Sequence, residues 1–121
     1  MKDQLVTFKV AKLAKEKGFN IDCQKVYNTL GEIWKAYYTT MNNTDIDLGA
    51  LCTAPTQSLL QRWLRENNNI KLEINYSDCE WWIWRIIKDD INVLGTNEFD
   101  DINLSYEEVL EEGLKQALKL I

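Results

Sequence analysis

The sequence predicts an α+β fold: a small antiparallel sheet with helices packed mainly on one face. Three observations carry that expectation. Apolar residues recur at helical spacing in three separate segments, near the N-terminus, in the middle and at the C-terminus. Between the second and third, IKLEINY (70–76) alternates apolar and polar residues as a strand does. CEWWIWRIIKDD (79–90) follows it and is apolar towards both sides, the pattern of a strand with neighbours.

The first helix is expected in TFKVAKLAKEKGFN (7–20), capped by Thr7 and stopped by Gly18, with Val10, Leu13 and Ala14 on one side. Lys9, Lys12, Lys15 and Lys17 decorate the remainder. They suit a solvated face or, more sharply, a patch for an anion or an acidic partner. IDCQKVYNTLGEIWKAYYTT (21–40) fits two periods. Trp34, Ala36 and Tyr38 alternate as in a strand after a turn at Gly31, whereas Leu30, Ile33, Trp34 and Tyr37 also fit a helix; the hairpin is preferred. MNNTDIDLG (41–49) reads as a polar loop.

In APTQSLLQRWLRENNN (54–69) Pro55 suits the opening of a helix, Leu59, Leu60, Trp63 and Leu64 form its apolar stripe, and the asparagines end it. The strand at 70–76 buries Ile70, Leu72, Ile74 and Tyr76 and leaves Lys71, Glu73 and Asn75 wet. After a turn at Ser77 and Asp78, the next strand points Trp82, Trp84 and Ile86 one way and Trp81, Ile83, Arg85 and Ile87 the other. A third strand is expected within INVLGTNEF (91–99), turning near Gly95. SYEEVLEEGLKQALKLI (105–121) opens with Ser105 and Glu108 in capping-box spacing. Tyr106, Val109, Leu110, Leu114, Ala117, Leu118 and Ile121 make its stripe. Gly113 interrupts that stripe at about 1 kcal/mol relative to alanine, which close packing on the sheet would offset.

Length and composition limit the chemistry. A chain of 121 residues, 45% hydrophobic and 27% charged, is expected to form one domain, 1–121, with a core of its own. Its apolar runs are too short to span a bilayer, and MKDQLVTFKV lacks a signal peptide's apolar centre, so a cytoplasmic location without membrane attachment is expected. The absence of histidine removes the commonest general base and metal ligand. Cys23, Cys52 and Cys79 lie too far apart in sequence for a metal-binding pair and read as buried reduced thiols. The five glycines are isolated and build no phosphate loop. Asp89/Asp90 and Asp100/Asp101 could hold a divalent ion or act as an acid pair, but their context is that of solvated turn aspartates. No catalysis, metal or cofactor is expected. Residues 1–50 carry seven Lys/Arg and six Asp/Glu, and residues 51–121 seven and thirteen. The acidic second part disfavours nucleic acid, whose affinity rests on neutralised phosphates.

Two patches remain as candidate interfaces. Trp81, Ile83 and Arg85 form the spare face of the tryptophan-rich strand, open to coverage by the chain itself, to a protein or second copy, or to stacked bases. Arg62 and Arg65 flank Trp63, either as an Arg-aromatic patch or as stems shielding a core tryptophan. The expected function is a non-catalytic module binding a protein partner or itself. The alternative is a nucleic-acid-associated regulator using the lysine-rich first helix.

From Pro55 onward the order helix, strand, strand, strand, helix resembles the double-stranded-RNA-binding fold in topology alone. Glu107, Glu108, Glu111 and Glu112 stand where that fold needs cations. VTFKVAKLAKEKGF (6–19), APTQSLLQRWLRE (54–66) and SYEEVLEEGLKQALKLI (105–121) resemble a family of short uncharacterised proteins encoded by gut bacteria and their phages or prophages. That resemblance implies a stand-alone accessory protein and carries over no functional residue.

Overall fold

A computed structural model describes residues 3–36, 40–44, 46, 49–76, 81–95 and 104–121. The fold is α+β, with three helices and two small three-stranded antiparallel sheets. Tyr37, Tyr38, the Ser77–Asp78 turn, Cys79, Glu80 and the Asp100/Asp101 pair lie outside the described residues. Packing divides the chain into two compact units, Met1–Leu60 and Gln61–Ile121. Charge divides at the same place, because residues 51–60 carry none. The first unit holds seven Lys/Arg against six Asp/Glu, the second seven against thirteen.

In the first unit, helix α1 (Phe8–Glu16) starts where Thr7 Oγ1 accepts the Val10 N–H at 3.4 Å. It ends before Gly18, whose φ of 95° is a left-handed conformation that glycine adopts without a Cβ clash. Val10, Ala11 and Ala14 are its buried residues. The helix lies against β3 (Ala50–Thr53), a strand absent from the sequence-based expectation. The 21–40 segment resolves as the hairpin, β1 (Lys25–Asn28) and β2 (Ile33–Lys35), in a sheet ordered β2-β1-β3.

The hairpin prevails over the helix because its turn is held from within. Asn28 is buried, and its Oδ1 accepts the N–H groups of Leu30 and Glu32, each at 2.9 Å. Gly31 has φ 82°, and a Cβ there would stand 2.9 Å from the Phe8 ring, so the turn tolerates only glycine. Phe8 in turn packs on Tyr27 at 5.3 Å between ring centres, and the Tyr27 hydroxyl donates to the Val6 carbonyl at 2.6 Å. A helix over the same residues would lose this set of contacts.

The segment preceding α1 runs beside the entry to α2 (Gln57–Asn68): Val6 N–H donates to the Pro55 carbonyl at 2.9 Å and Gln57 N–H to the Gln4 carbonyl at 2.8 Å. Pro55 is therefore a pairing residue ahead of the helix. The cap is Thr56, whose Oγ1 accepts the Leu59 N–H at 3.2 Å. At its other end α2 stops at Asn69, which takes φ 51°.

The second unit holds the sheet β4 (Ile70–Tyr76), β5 (Trp82–Lys88) and β6 (Ile91–Gly95), with β5 central, and α3 (Tyr106–Leu118). With α2 ahead of them they give the helix-strand-strand-strand-helix order in the C-terminal part of the chain. Asp89 and Asp90, at φ 51° and 65°, make a two-residue turn whose backbone twist matches that of the strands it joins. The β5–β6 register slips between Ile86 and Ile87, leaving Val93 as the extra residue of a bulge.

Helix α3 opens with the full capping box of Ser105 and Glu108, and Val109, Leu110, Gly113, Leu114, Ala117 and Leu118 are buried. It packs on β4 and β5, over Leu72, Trp84 and Ile86. At Gly113 an added Cβ would lie 2.7 Å from Leu72 Cδ1 and 3.2 Å from Trp84 Cβ. The glycine thus sets how close helix and sheet approach. Leu72 is buried with little room to turn aside, and Trp84 Cβ is fixed to the central strand. Gly113→Ala should therefore lower stability by about 1 kcal/mol, despite the similar gain alanine brings in a free helix, because overpacking costs about 1–3 kcal/mol. Urea midpoints of the two proteins measure the sign directly.

Candidate functional site

The register of the second sheet sorts its side chains into two faces. Directly opposed residues share a face, so Ile83 stands with Asn75, Arg85 with Glu73 and Gly95, and Ile87 with Lys71 and Asn92. This is the face away from α3. On the α3 side, Leu72, Trp84 and Ile86 are buried, as expected from the alternation. Trp82 meets Tyr106 of α3 edge-on at 5.1 Å, and Tyr76 caps the row at 5.1 Å from Trp82. Such tilted ring pairs are favourable, since a positive ring edge meets a negative ring face.

Of the residues proposed from the sequence, Ile83 and Arg85 lie on the outer face, and Trp81 precedes the strand, half-buried like Ile83. Arg85 is exposed, but Glu73 holds it: Nη2 donates at 2.5 Å and Nε at 3.2 Å to the same carboxylate oxygen. A solvent-screened pair of this kind contributes at most about 1 kcal/mol, and it leaves the guanidinium oriented on the face. Trp63 is 7% exposed, so it is a core residue. Arg62 and Arg65 are exposed on α2, with Arg62 Nε 4.0 Å from Glu66. Among the described residues no hydrogen bond or ion pair joins this pair to Trp81, Ile83 or Arg85.

The residues that sequence reasoning passed over are on β6. All five of its residues are exposed, and three are large and apolar: Ile91 at 66%, Val93 at 47% and Leu94 at 40%. Ile91 opposes Lys88 and Leu94 opposes Ile86, which places both on the α3 side of the sheet, beyond the strands on which α3 packs. Lys88 marks that limit, with its Nζ donating to the Leu120 carbonyl at 3.0 Å. The signal was present in INVLG, an apolar run without charge at a sheet edge, whereas edges usually carry lysine or proline.

The lysines of α1 are not equivalent. Lys15 Nζ donates to the Leu51 carbonyl at 2.6 Å, and Lys12 stands 4.5 Å above the Phe8 ring. The expected cationic face is thus partly committed to the helix's own packing. The Asp89/Asp90 pair makes the hairpin turn described above, Asp89 Oδ1 accepting from Asn69 at 3.0 Å and Asp90 lying 3.7 Å from Lys71.

The first unit also holds a cleft of about 700 Å³ lined by Leu5, Pro55, Leu59, Lys25, Asp22 and Cys23, among others. Asp22 there accepts from Asn42 at 3.1 Å. Burial pushes the Cys23 thiol up to about 11, with the Thr53 hydroxyl pulling the other way and Asp22 adding to the rise. Burial likewise pushes Cys52 up to about 11 against the pull of Lys15 and Lys12. Both cysteines are free and buried thiols that stay protonated near neutrality, which makes them poor nucleophiles. Among the described residues no group of three acidic or cysteine side chains is placed to hold a metal ion, and no helix is long and apolar enough to cross a membrane. No family model, curated protein or solved structure matches the chain.

The two thiols make a pH prediction. An unfolded thiol titrates near 9.0 and these folded ones near 11, so between those values the folded state keeps protons that the unfolded state has lost. Stability is full below pH 9.0 and should fall as pH rises from there to about 11. Urea midpoints across that window, compared with a Cys23→Ala/Cys52→Ala protein whose slope should be shallower, isolate the thiol contribution.

Proposed function

We propose that the chain is a non-catalytic binding module that docks a protein partner through the sheet of its second unit. It would serve as an accessory protein of the kind carried by phages and mobile elements. The observation that carries the proposal is the incomplete roofing of that sheet. Helix α3 covers β4 and β5, while the apolar side chains of β6 stand exposed and Ile83 and Ile87 are half-buried on the opposite face. Exposed apolar patches are costly in solution and mark interaction surfaces.

Charge supports a protein rather than a nucleic acid. The second unit carries thirteen acidic against seven basic residues, a net charge that disfavours phosphate backbones. The outer face supplies aliphatics at Ile83 and Ile87 and an oriented arginine at Arg85, a mixture typical of docking surfaces, and Trp81 stands just ahead of the strand.

Replacing Trp81 and Ile83 together with Ser should abolish association, seen by sedimentation and by capture of the partner on the immobilised chain. The protein should still unfold cooperatively, with a lower melting temperature, since both side chains are half-buried and such substitutions cost about 0.5–3 kcal/mol each. Collapse of folding would place these residues in the core and end the proposal.

A further inference from the structure

We propose that the cleft of the first unit is a binding site for a small organic acid, a monocarboxylate with an apolar body, seated with its head group at Lys25. The cleft holds about 700 Å³, within the range of small-molecule sites, which run from about 300 to 1,000 Å³. Burial sorts its lining into depth and rim. Asp3 and Asp22 are exposed, whereas Leu5, Leu59 and Lys25 are half-buried and Ala54 and Pro55 are buried. Among the described residues, the deeper lining is therefore mainly apolar and carries one charge, the Lys25 ammonium. Sites for small molecules share this composition, an apolar wall with a few polar groups that fix orientation.

The charges of the cleft differ in what they still lack. Asp3 accepts the Ser58 hydroxyl, and Asp22 Oδ1 accepts from Asn42 Nδ2 at 3.1 Å. Among the described residues the Lys25 ammonium makes no hydrogen bond or ion pair, and neither does that of Lys35, which stands directly opposite it on β2. One residue along, the Ala36 N–H donates to the Gln24 carbonyl at 2.9 Å. Lys25 and Lys35 are thus a non-hydrogen-bonded pair, the kind that brings opposed side chains closest. Like charges so placed cost stability, and a carboxylate set between them would remove that cost. The two acids sit in water at the rim, where their repulsion is screened more than the attraction of a half-buried cation. Leu5, Pro55 and Leu59 then offer the hydrocarbon body a surface away from water.

Titrating the full chain with hexanoate, hexanamide and hexylammonium, followed by amide NMR spectra, tests this. Hexanoate should shift the signals of Leu5, Lys25, Thr56 and Leu59. Hexanamide, with the same body and no charge, should bind about tenfold more weakly, and hexylammonium more weakly still. Lys25→Gln should unfold at the parent's urea midpoint or above it, because one of two like charges is gone. It should weaken hexanoate by about tenfold or more and leave hexanamide unchanged. Lys35→Gln, at an exposed position, should give a smaller loss for hexanoate alone, and it serves as the test if the first variant does not fold. Preference for hexylammonium would assign the cleft to a cation held by Asp3 and Asp22 and overturn the proposal. Equal binding of hexanoate and hexanamide would overturn it too, as would the absence of shifts at the cleft residues.

Discussion

The second unit depends on the near contact between α3 and its sheet at Gly113. With no side chain at this position, the helix backbone settles against Leu72 and Trp84, and the rest of its apolar stripe is buried. Interiors are packed as densely as organic crystals, so a shift of a fraction of an ångström here would open space along the whole helix. That contact decides which face of β5 is inner. It thereby places Ile83 and Arg85 outside, and it positions α3 over β4 and β5 while the side chains of β6 stay exposed.

The first unit is organised around a different kind of constraint, a chain of local contacts that reinforce one another. Asn28 ties the hairpin turn, Gly31 lets the turn pass beneath Phe8, Phe8 packs on Tyr27, and Tyr27 bonds the backbone at Val6. Asn43 adds a stitch, its Oδ1 accepting the Thr53 N–H at 2.9 Å and its Nδ2 donating to the Phe19 carbonyl at 2.8 Å. Each polar side chain satisfies backbone groups that would otherwise be buried without partners. The cost of ordering a loop-rich unit is offset by bonds that also define its shape.

The two units differ in what they present to solvent. The first is close to electrically neutral and turns some of its lysines onto its own carbonyls and rings. The second is acidic in composition and leaves the apolar side chains of β6 exposed. On the outer face of its sheet, Arg85 is paired with Glu73.

Helix ends and strand faces were legible in the sequence because they rest on neighbours in the chain. Thr7, Gly18, Ser105 with Glu108, and the alternation of 70–76 all act within a few residues of themselves, although at the far end of that strand Ile74 is only half-buried and Tyr76 is exposed against expectation. The close approach at Gly113 was also readable, as a glycine in an apolar stripe has few other uses. What tertiary structure alone decided depends on partners distant in sequence. Ala50–Thr53 becomes a strand because β1 pairs with it, the hairpin wins over a helix because Phe8 and Val6 close on it, and Trp63 is core because its surroundings bury it. The exposure of β6 belongs to the same class. Its apolar letters describe a buried strand, and only the reach of α3 determines that they remain in water.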